Sequence, residues 1–274
     1  MKANVMHARR RDEEAGRESP IEVRECTRIE ELDGCVRLQR EVFGGPEINI
    51  YPRKHFVMSR RAGGWTLGAF DHQELVGFVH LVVAVRGRHE VIGYSHMMAV
   101  AAAYQNRGLG ARLKWAQRER ALAEGRSFIT WTWEPLRARN AHFNLNRLGA
   151  TVSSYGVNFY GPDDYSWREY AAHGAGIDSD RLFAEWELGS ARVAELAHGR
   201  APEPLGRPAR TIEIPADWSG MLRTDPQAAR REQSRVREEF LSAFDAGLVC
   251  AGFERDPARP RYLLYDRTGV SPEG

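Results

Sequence analysis

Three cysteines in 274 residues, Cys26, Cys35 and Cys250, are too few to build a disulfide framework. Their number is odd and no CxxC spacing occurs, so they are expected as buried thiols in a reducing, cytoplasmic compartment, ligating no metal. Charge of one sign is also lacking. Thirty-nine basic residues face 37 acidic ones, a net of +2, which leaves no electrostatic footprint for nucleic acid. No apolar run approaches the length that spans a bilayer, so no membrane partner is expected. The opening MKANVMHARRRDEEAGRESP lacks the apolar centre of a secretory leader, and its Arg9–Arg11 triplet is answered at once by Asp12, Glu13 and Glu14. Residues 1–20 are expected as a solvated, disordered tail. What remains is an ordinary globular composition, 42% hydrophobic and 28% charged, long enough for one sizeable core plus a smaller unit.

Apolar periodicity divides the rest into elements. IEVREC, from Ile21, alternates like a half-buried strand. Thr27 is expected to cap a helix running to about Phe43, with Glu30 completing a capping box and Gly44-Gly45 ending it. Leu32, Val36 and Phe43 share a face that Gln39 interrupts. Pro46–Arg61 reads as a short helix or a packed loop. Trp65–Phe70 and Glu74–Val85 form an antiparallel hairpin around Asp71–Gln73, and Val91–Val100 adds a strand. A helix over Gly108–Glu124 stops at Gly125, SFITWTWE is a strand, and Ala138–Leu148 is a helix stopped by Gly149. Thr151–Gly161 reads as a strand, followed by a loop containing Gly174-Ala175-Gly176 and a strand over Arg181–Leu188. This order predicts an α/β (α+β) fold: a mixed, mostly antiparallel sheet with helices on both faces, over residues 21–190. Residues 191–274 read as a C-terminal extension. A Pro/Gly-rich linker over Gly199–Pro208 leads to a strand at Thr211–Ile214 and a helix from Pro226 to Ala246, capped by Asp225 and stopped by Gly247. A hairpin of Leu248–Phe253 with Arg261–Tyr265 follows.

One stretch invites chemistry. AAAYQNRGLGARL, from Ala101, places small residues and Arg-Gly-x-Gly at the start of a helix. A Walker loop needs Gly-Lys, and no Gly-Lys pair exists in the chain. A dinucleotide-binding turn fails too, because Leu113 holds the third glycine position and seven residues separate Val100 from Gly108. A helix N-terminus remains. Its free N–H groups and dipole attract an anion, and glycine lets that anion approach the backbone. Gln105 and Arg107 offer further donors.

Gln105-Asn106-Arg107-Gly108-Leu109-Gly110 resembles the (Q/R)-x-x-G-x-(G/A) acetyl-CoA motif of the GNAT N-acyltransferase superfamily, and the element order from Ile21 to about Leu188 is similar to that fold. SHMMAV, WTWEPLRARNAHFNLNRLGA and NFYG resemble a bacterial branch with a C-terminal extension. The resemblance implies acetyl-CoA or another acyl-CoA, succinyl-CoA included, as co-substrate. It places the pyrophosphate on the backbone of Gln105 to Gly110 and the pantetheine arm on the main chain of Met98, Ala99 and Val100. The strand Phe128–Trp133 is implied to splay from that edge. Asn140 and Asn144, four apart on one helix face, stand near the position of a pantetheine-binding asparagine. Direct attack by an amine on the thioester needs no cysteine nucleophile and no metal.

Acyl transfer does need a base, oxyanion donors and a proton for the leaving thiolate. His96 lies nine residues before Gln105 on the feeding strand and is the expected base; alternation puts Tyr94 and Met98 on its face. Tyr94 and His96 match the positions of two histidines in arylalkylamine N-acetyltransferases. Backbone N–H groups near Met98 and Ala99 are the expected oxyanion donors. Where many members carry a general-acid tyrosine, this chain has Leu145, which turns attention to Tyr155 and Tyr160. Glu134 either recognises the amine or caps a turn. Arg137 and Arg139 either bind a carboxylate or face solvent. Trp131 and Trp133 share one face and suit the core. The function these residues support is transfer of an acetyl or succinyl group from CoA to the amine of a small molecule, an amino acid among the options, in a monomer or homodimer. A CoA-binding or partner-binding module without catalysis is the alternative, and a protein-acetylating enzyme a third.

Overall fold

The computed structural model describes residues 21–44, 47–161 and 177–267; the tail at 1–20 and the Gly174–Gly176 loop lie outside the described residues. β1 (Glu22–Glu25), β2 (Trp65–Asp71), β3 (Glu74–Arg86) and β4 (Glu90–Val100) pair antiparallel in sequence order. β5 (Phe128–Trp133), β6 (Tyr155–Gly156) and β7 (Arg181–Glu187) complete a seven-stranded sheet of order β1-β2-β3-β4-β5-β7-β6. α1 (Ile29–Val42) and α2 (Arg53–Arg61) cover one face through Leu32, Cys35, Phe56, Phe70 and Phe78. On the other face α3 (Leu109–Ala123) and α4 (Ala138–Ala141), extended by a π turn over His142–Arg147, bury Leu113, Leu145, Trp131 and Trp186. The expected mixed sheet with helices on both faces is what forms.

α1 begins one residue later than its Thr27 and Glu30 pattern suggested. Glu31 is the capping carboxylate, accepting the Thr27 and Arg28 N–H groups at 2.9 and 3.0 Å. Arg24 pairs with it at 2.8 Å. Burial pushes the Glu31 carboxyl up, but these donors outweigh that and hold it down at about 2. Gln39, the polar break in the apolar face, is buried and spans to the next segment. Its amide donates to the Tyr51 carbonyl at 3.1 Å and accepts the Tyr51 N–H at 2.9 Å.

β4 and β5 run parallel and pair in the ladder at Gly93 with Ile129 and Tyr94 with Thr130, so the ladder ends at Tyr94 and the two strands part beyond it. Thr151–Gly161 is not one continuous strand. Thr151 bridges to Glu185 and Val152 to Cys250, and only Tyr155–Gly156 then pairs with β7. Ser179 and Asp180 take the next N–H groups, at Tyr160 and Asn158, and turn the chain away.

The C-terminal residues form α5 (Ala191–Ala197), β8 (Arg210–Glu213), α6 (Trp218–Thr224), α7 (Pro226–Asp245), β9 (Leu248–Glu254) and β10 (Arg261–Asp266). The strands make a second sheet of order β8-β10-β9. One hydrophobic cluster runs from Trp131, Leu182 and Trp186 through Val236, Phe240, Cys250 and Tyr262. All three cysteines are buried and free. No described helix is long and apolar enough to cross a membrane.

Candidate active site

The β3–β4 ladder carries a bulge: His80 faces Met97 while Leu81 faces Ser95, so His96 is the extra residue. Alternation therefore fails at this point. Tyr94, His96 and Met97 all lie on the α1/α2 face, whereas Met98 turns toward α3, where a Cβ on Gly110 would stand 3.5 Å from its methyl group. The expectation that Met98 shares His96's face is corrected by that one inserted residue.

The bulge brings His96 against two histidines that sequence reasoning passed over. His55 of α2 places Nε2 3.2 Å from His96 Nδ1. His80 of β3 is fully buried, with Nδ1 2.8 Å from the Thr66 hydroxyl. The Tyr51 ring meets His96 edge-on at 4.3 Å. Burial, with a contribution from His55, lowers His96 to about 4; burial with both neighbours lowers His80 to about 3, and burial lowers His55. His80 and His96 are therefore uncharged at neutral pH. The one sequence signal for His80 was a lone polar residue inside the apolar run LVGFVHLVV.

Tyr94 reaches the parting of the strands with Tyr160 and Thr132; the Thr132 and Tyr160 hydroxyls are 3.2 Å apart. Burial and then Tyr160 raise the Tyr94 hydroxyl above its ordinary value. Tyr155, by contrast, donates to Asp180 at 2.6 Å and is committed to that bond. Leu145 is fully buried in the core.

At the far end of the parting, Gly108 caps α3 in the left-handed conformation, φ +80°, with Asn106 also left-handed at φ +62°. Among the described residues, a Cβ on Gly108 would meet nothing within 4 Å, so the bare backbone is open on that side. Helix geometry leaves the first-turn N–H groups of α3, from Leu109 and Gly110 onward, without intrahelical acceptors. Arg107 is exposed beside them. The Gln105 side chain instead donates to the Val100 carbonyl at 2.9 Å, tying the loop to the end of β4, whose Ala99 is buried. The cradle fits a diphosphate through its backbone.

Other expected residues are held elsewhere. Asn144 is buried, and its Oδ1 accepts the Trp131 indole N–H at 3.2 Å. Asn140 lines an open cleft of about 340 Å³ with Arg137, Arg139, Asp217 and Ser219. Glu134 and Arg137 pair with each other at 3.1 Å, and Arg137 also donates to Ser219 at 3.0 Å. Trp131 and Trp133 are buried. The sequence reading also missed Lys114, buried beneath β4. Its ammonium lies 3.0 Å from Ser95 Oγ, 2.9 Å from Gln117 Oε1 and 3.6 Å above the Trp131 ring. Burial lowers its pKa well below the usual value.

A strand carrying a bulged histidine thus parts from a parallel neighbour and feeds a glycine-opened helix. Residues 32–149 match the family model described as the Acetyltransferase (GNAT) family. Over those residues the chain is similar to that family. No curated protein matches it in sequence. Similar solved structures include the Escherichia coli ribosomal-protein-S18-alanine N-acetyltransferase, 13% identical over 62% of this chain and 96% of that one, with a TM-score of 0.48. A GNAT acetyltransferase of Elizabethkingia anophelis with acetyl-CoA bound is 17% identical over 61% of this chain and 97% of that one, with a TM-score of 0.44.

Proposed function

We propose that this protein transfers an acyl group, acetyl or succinyl, from CoA to the amine of a small molecule. The observation that carries the reading is the open backbone cradle at Gly108, placed at the end of a strand that leaves its neighbour after Tyr94. In this reading the pyrophosphate of CoA sits on the first turn of α3 and the pantetheine arm extends along Met98–Val100. The amine nitrogen attacks the thioester carbonyl from the α1/α2 face. A C–N bond forms, the C–S bond breaks, and the amine proton passes to His96, directly or through water.

An imidazole held near 4 is a weak base, but it is fully deprotonated at pH 7 and therefore ready to accept. His55 Nε2, 3.2 Å from His96 Nδ1, takes a hydrogen bond from the imidazolium as it forms and spreads its charge. Tyr155 is excluded as the proton donor to the thiolate by its bond to Asp180, which leaves Tyr160, beside Thr132 and Tyr94. The buried Asn144 supports the Trp131 wall of the cleft rather than touching pantetheine, and the Glu134–Arg137 pair shapes its mouth. Residues 21–190 form the acyltransferase unit, and 191–274 complete its core.

Calorimetric titration with CoA, acetyl-CoA and succinyl-CoA tests this, with Gly108→Trp as the control that fills the cradle. Saturable binding lost in the control is the expected result, followed by thiol release in a screen of small amines. Binding without turnover against any amine would point to the non-catalytic module instead. No binding to any of the three would overturn the reading.

A further inference from the structure

His55, His80 and His96 come from a helix and two strands, and each offers one ring nitrogen to a common point. Those three nitrogens all lie within 4.8 Å of one another. Donors about 2.0–2.1 Å from a tetrahedral zinc ion stand roughly 3.3 Å apart. The His55–His96 separation is already 3.2 Å.

A second observation points the same way. His80 Nε2 is buried and has no hydrogen-bond partner among the described residues. Buried polar atoms are almost always satisfied, and one left over inside a cluster of lone pairs asks for a ligand. The other nitrogen, Nδ1, is held by Thr66 at 2.8 Å, the kind of outer bond that fixes the ring and leaves Nε2 to ligate. An all-imidazole set with no carboxylate suits zinc, copper or nickel and does not suit magnesium or calcium, which take oxygen ligands. His55 and His96 are only half-buried, which provides an entry path from the α2 side.

We propose that His55, His80 and His96 bind one divalent transition-metal ion of the zinc class. The ion takes up a lone pair of His96, so metal and proton compete for the residue assigned above as the base. Zinc loading therefore opposes acyl transfer while leaving the Gly108 cradle free.

The test uses the full chain stripped with a chelator, titrated with Zn²⁺ by calorimetry and with Co²⁺ by visible absorption. The expected result is one ion per chain and the intense d–d bands of a four-coordinate cobalt centre. His55→Gln and His96→Gln, both at half-buried positions, should each weaken Zn²⁺ binding by about 100-fold, as loss of a ligand does. His89→Gln, in the exposed β3–β4 turn, should leave it unchanged. Circular dichroism of each variant shows that the fold is kept. Absence of saturable binding overturns the proposal, as does a loss smaller than tenfold in either ligand variant. These readouts need no substrate, so a failed acyl-transfer assay counts against the proposed activity and not against the metal site.

Discussion

At the scale of single residues, His96 is set apart by a backbone irregularity. The bulge adds one residue opposite the His80–Leu81 step and turns the imidazole toward His55 instead of along the sheet. His96→Gln keeps a similar volume and removes the base. We expect it to lower kcat by about 10²- to 10³-fold, as loss of a general base does, with the calorimetric affinity for CoA unchanged. The pH dependence has a definite sign. His96 and His80 have folded-state values of about 4 and 3, below the ordinary histidine value near ~6.5. Above that value both folded and unfolded chains hold these rings neutral. As the pH falls below it the unfolded chain gains protons that the folded chain refuses, so stability drops by about 1.4 kcal/mol per pH unit for each histidine until the folded values are reached. Urea midpoints measured between pH 7 and pH 4.5 should fall accordingly, and those of a His80→Phe variant should fall less steeply. His96 and Tyr94 were legible in the sequence because they precede a recognisable glycine motif on one strand. His55 and His80 were not, because nothing local links a helix residue to a strand residue 25 positions away.

At the scale of elements, the glycines carried most of the legible information. Gly125, Gly149 and Gly247 all adopt positive φ just beyond helices, as their positions suggested. Gly108 does so at a helix start, where the proposed function gives the bare backbone a use. Its φ of +80° disfavours any side chain, but a Cβ there would strike nothing. Gly108→Ala should therefore cost about 1 kcal/mol from the backbone alone, read from chemical unfolding, and should weaken CoA binding. Strands and helices with regular periods were readable to within a few residues. What escaped was structure that depends on contacts between segments. Thr151–Gly161 carries a strand-like composition, yet its backbone is divided between Glu185, Cys250 and β7. α5 and α6 span seven residues each, flank the Gly199–Pro208 linker and its strand, and are too short to show a helical period. The sequence placed Lys114 inside a helix but could not show its amine meeting Ser95 beneath β4, a contact set by helix-on-sheet packing.

At the scale of the whole molecule, the C-terminal residues are built into the first unit rather than hung from it. The Tyr262 hydroxyl donates to the Pro135 carbonyl at 2.6 Å, next to Glu134 at the cleft mouth, and Val152 exchanges backbone hydrogen bonds with Cys250. Asp180 is a junction between the two parts. Nearly unexposed, it accepts from the Tyr155 hydroxyl, the Asn158 N–H and both Nε and Nη2 of Arg237 on α7. Asp180→Ala leaves the tyrosine hydroxyl without its acceptor and takes one of two carboxylate partners from Arg237, and should cost about 3 kcal/mol, as removal of one partner from a buried ion pair does. If residues 191–274 complete a single core, that loss appears in one transition. Urea unfolding followed by far-ultraviolet circular dichroism and by tryptophan fluorescence should give coincident midpoints in the parent chain, and Asp180→Ala should move both by the same amount. Two separated transitions, with only the earlier one moved by the substitution, would make the C-terminal residues an independent domain and detach them from the cleft they border.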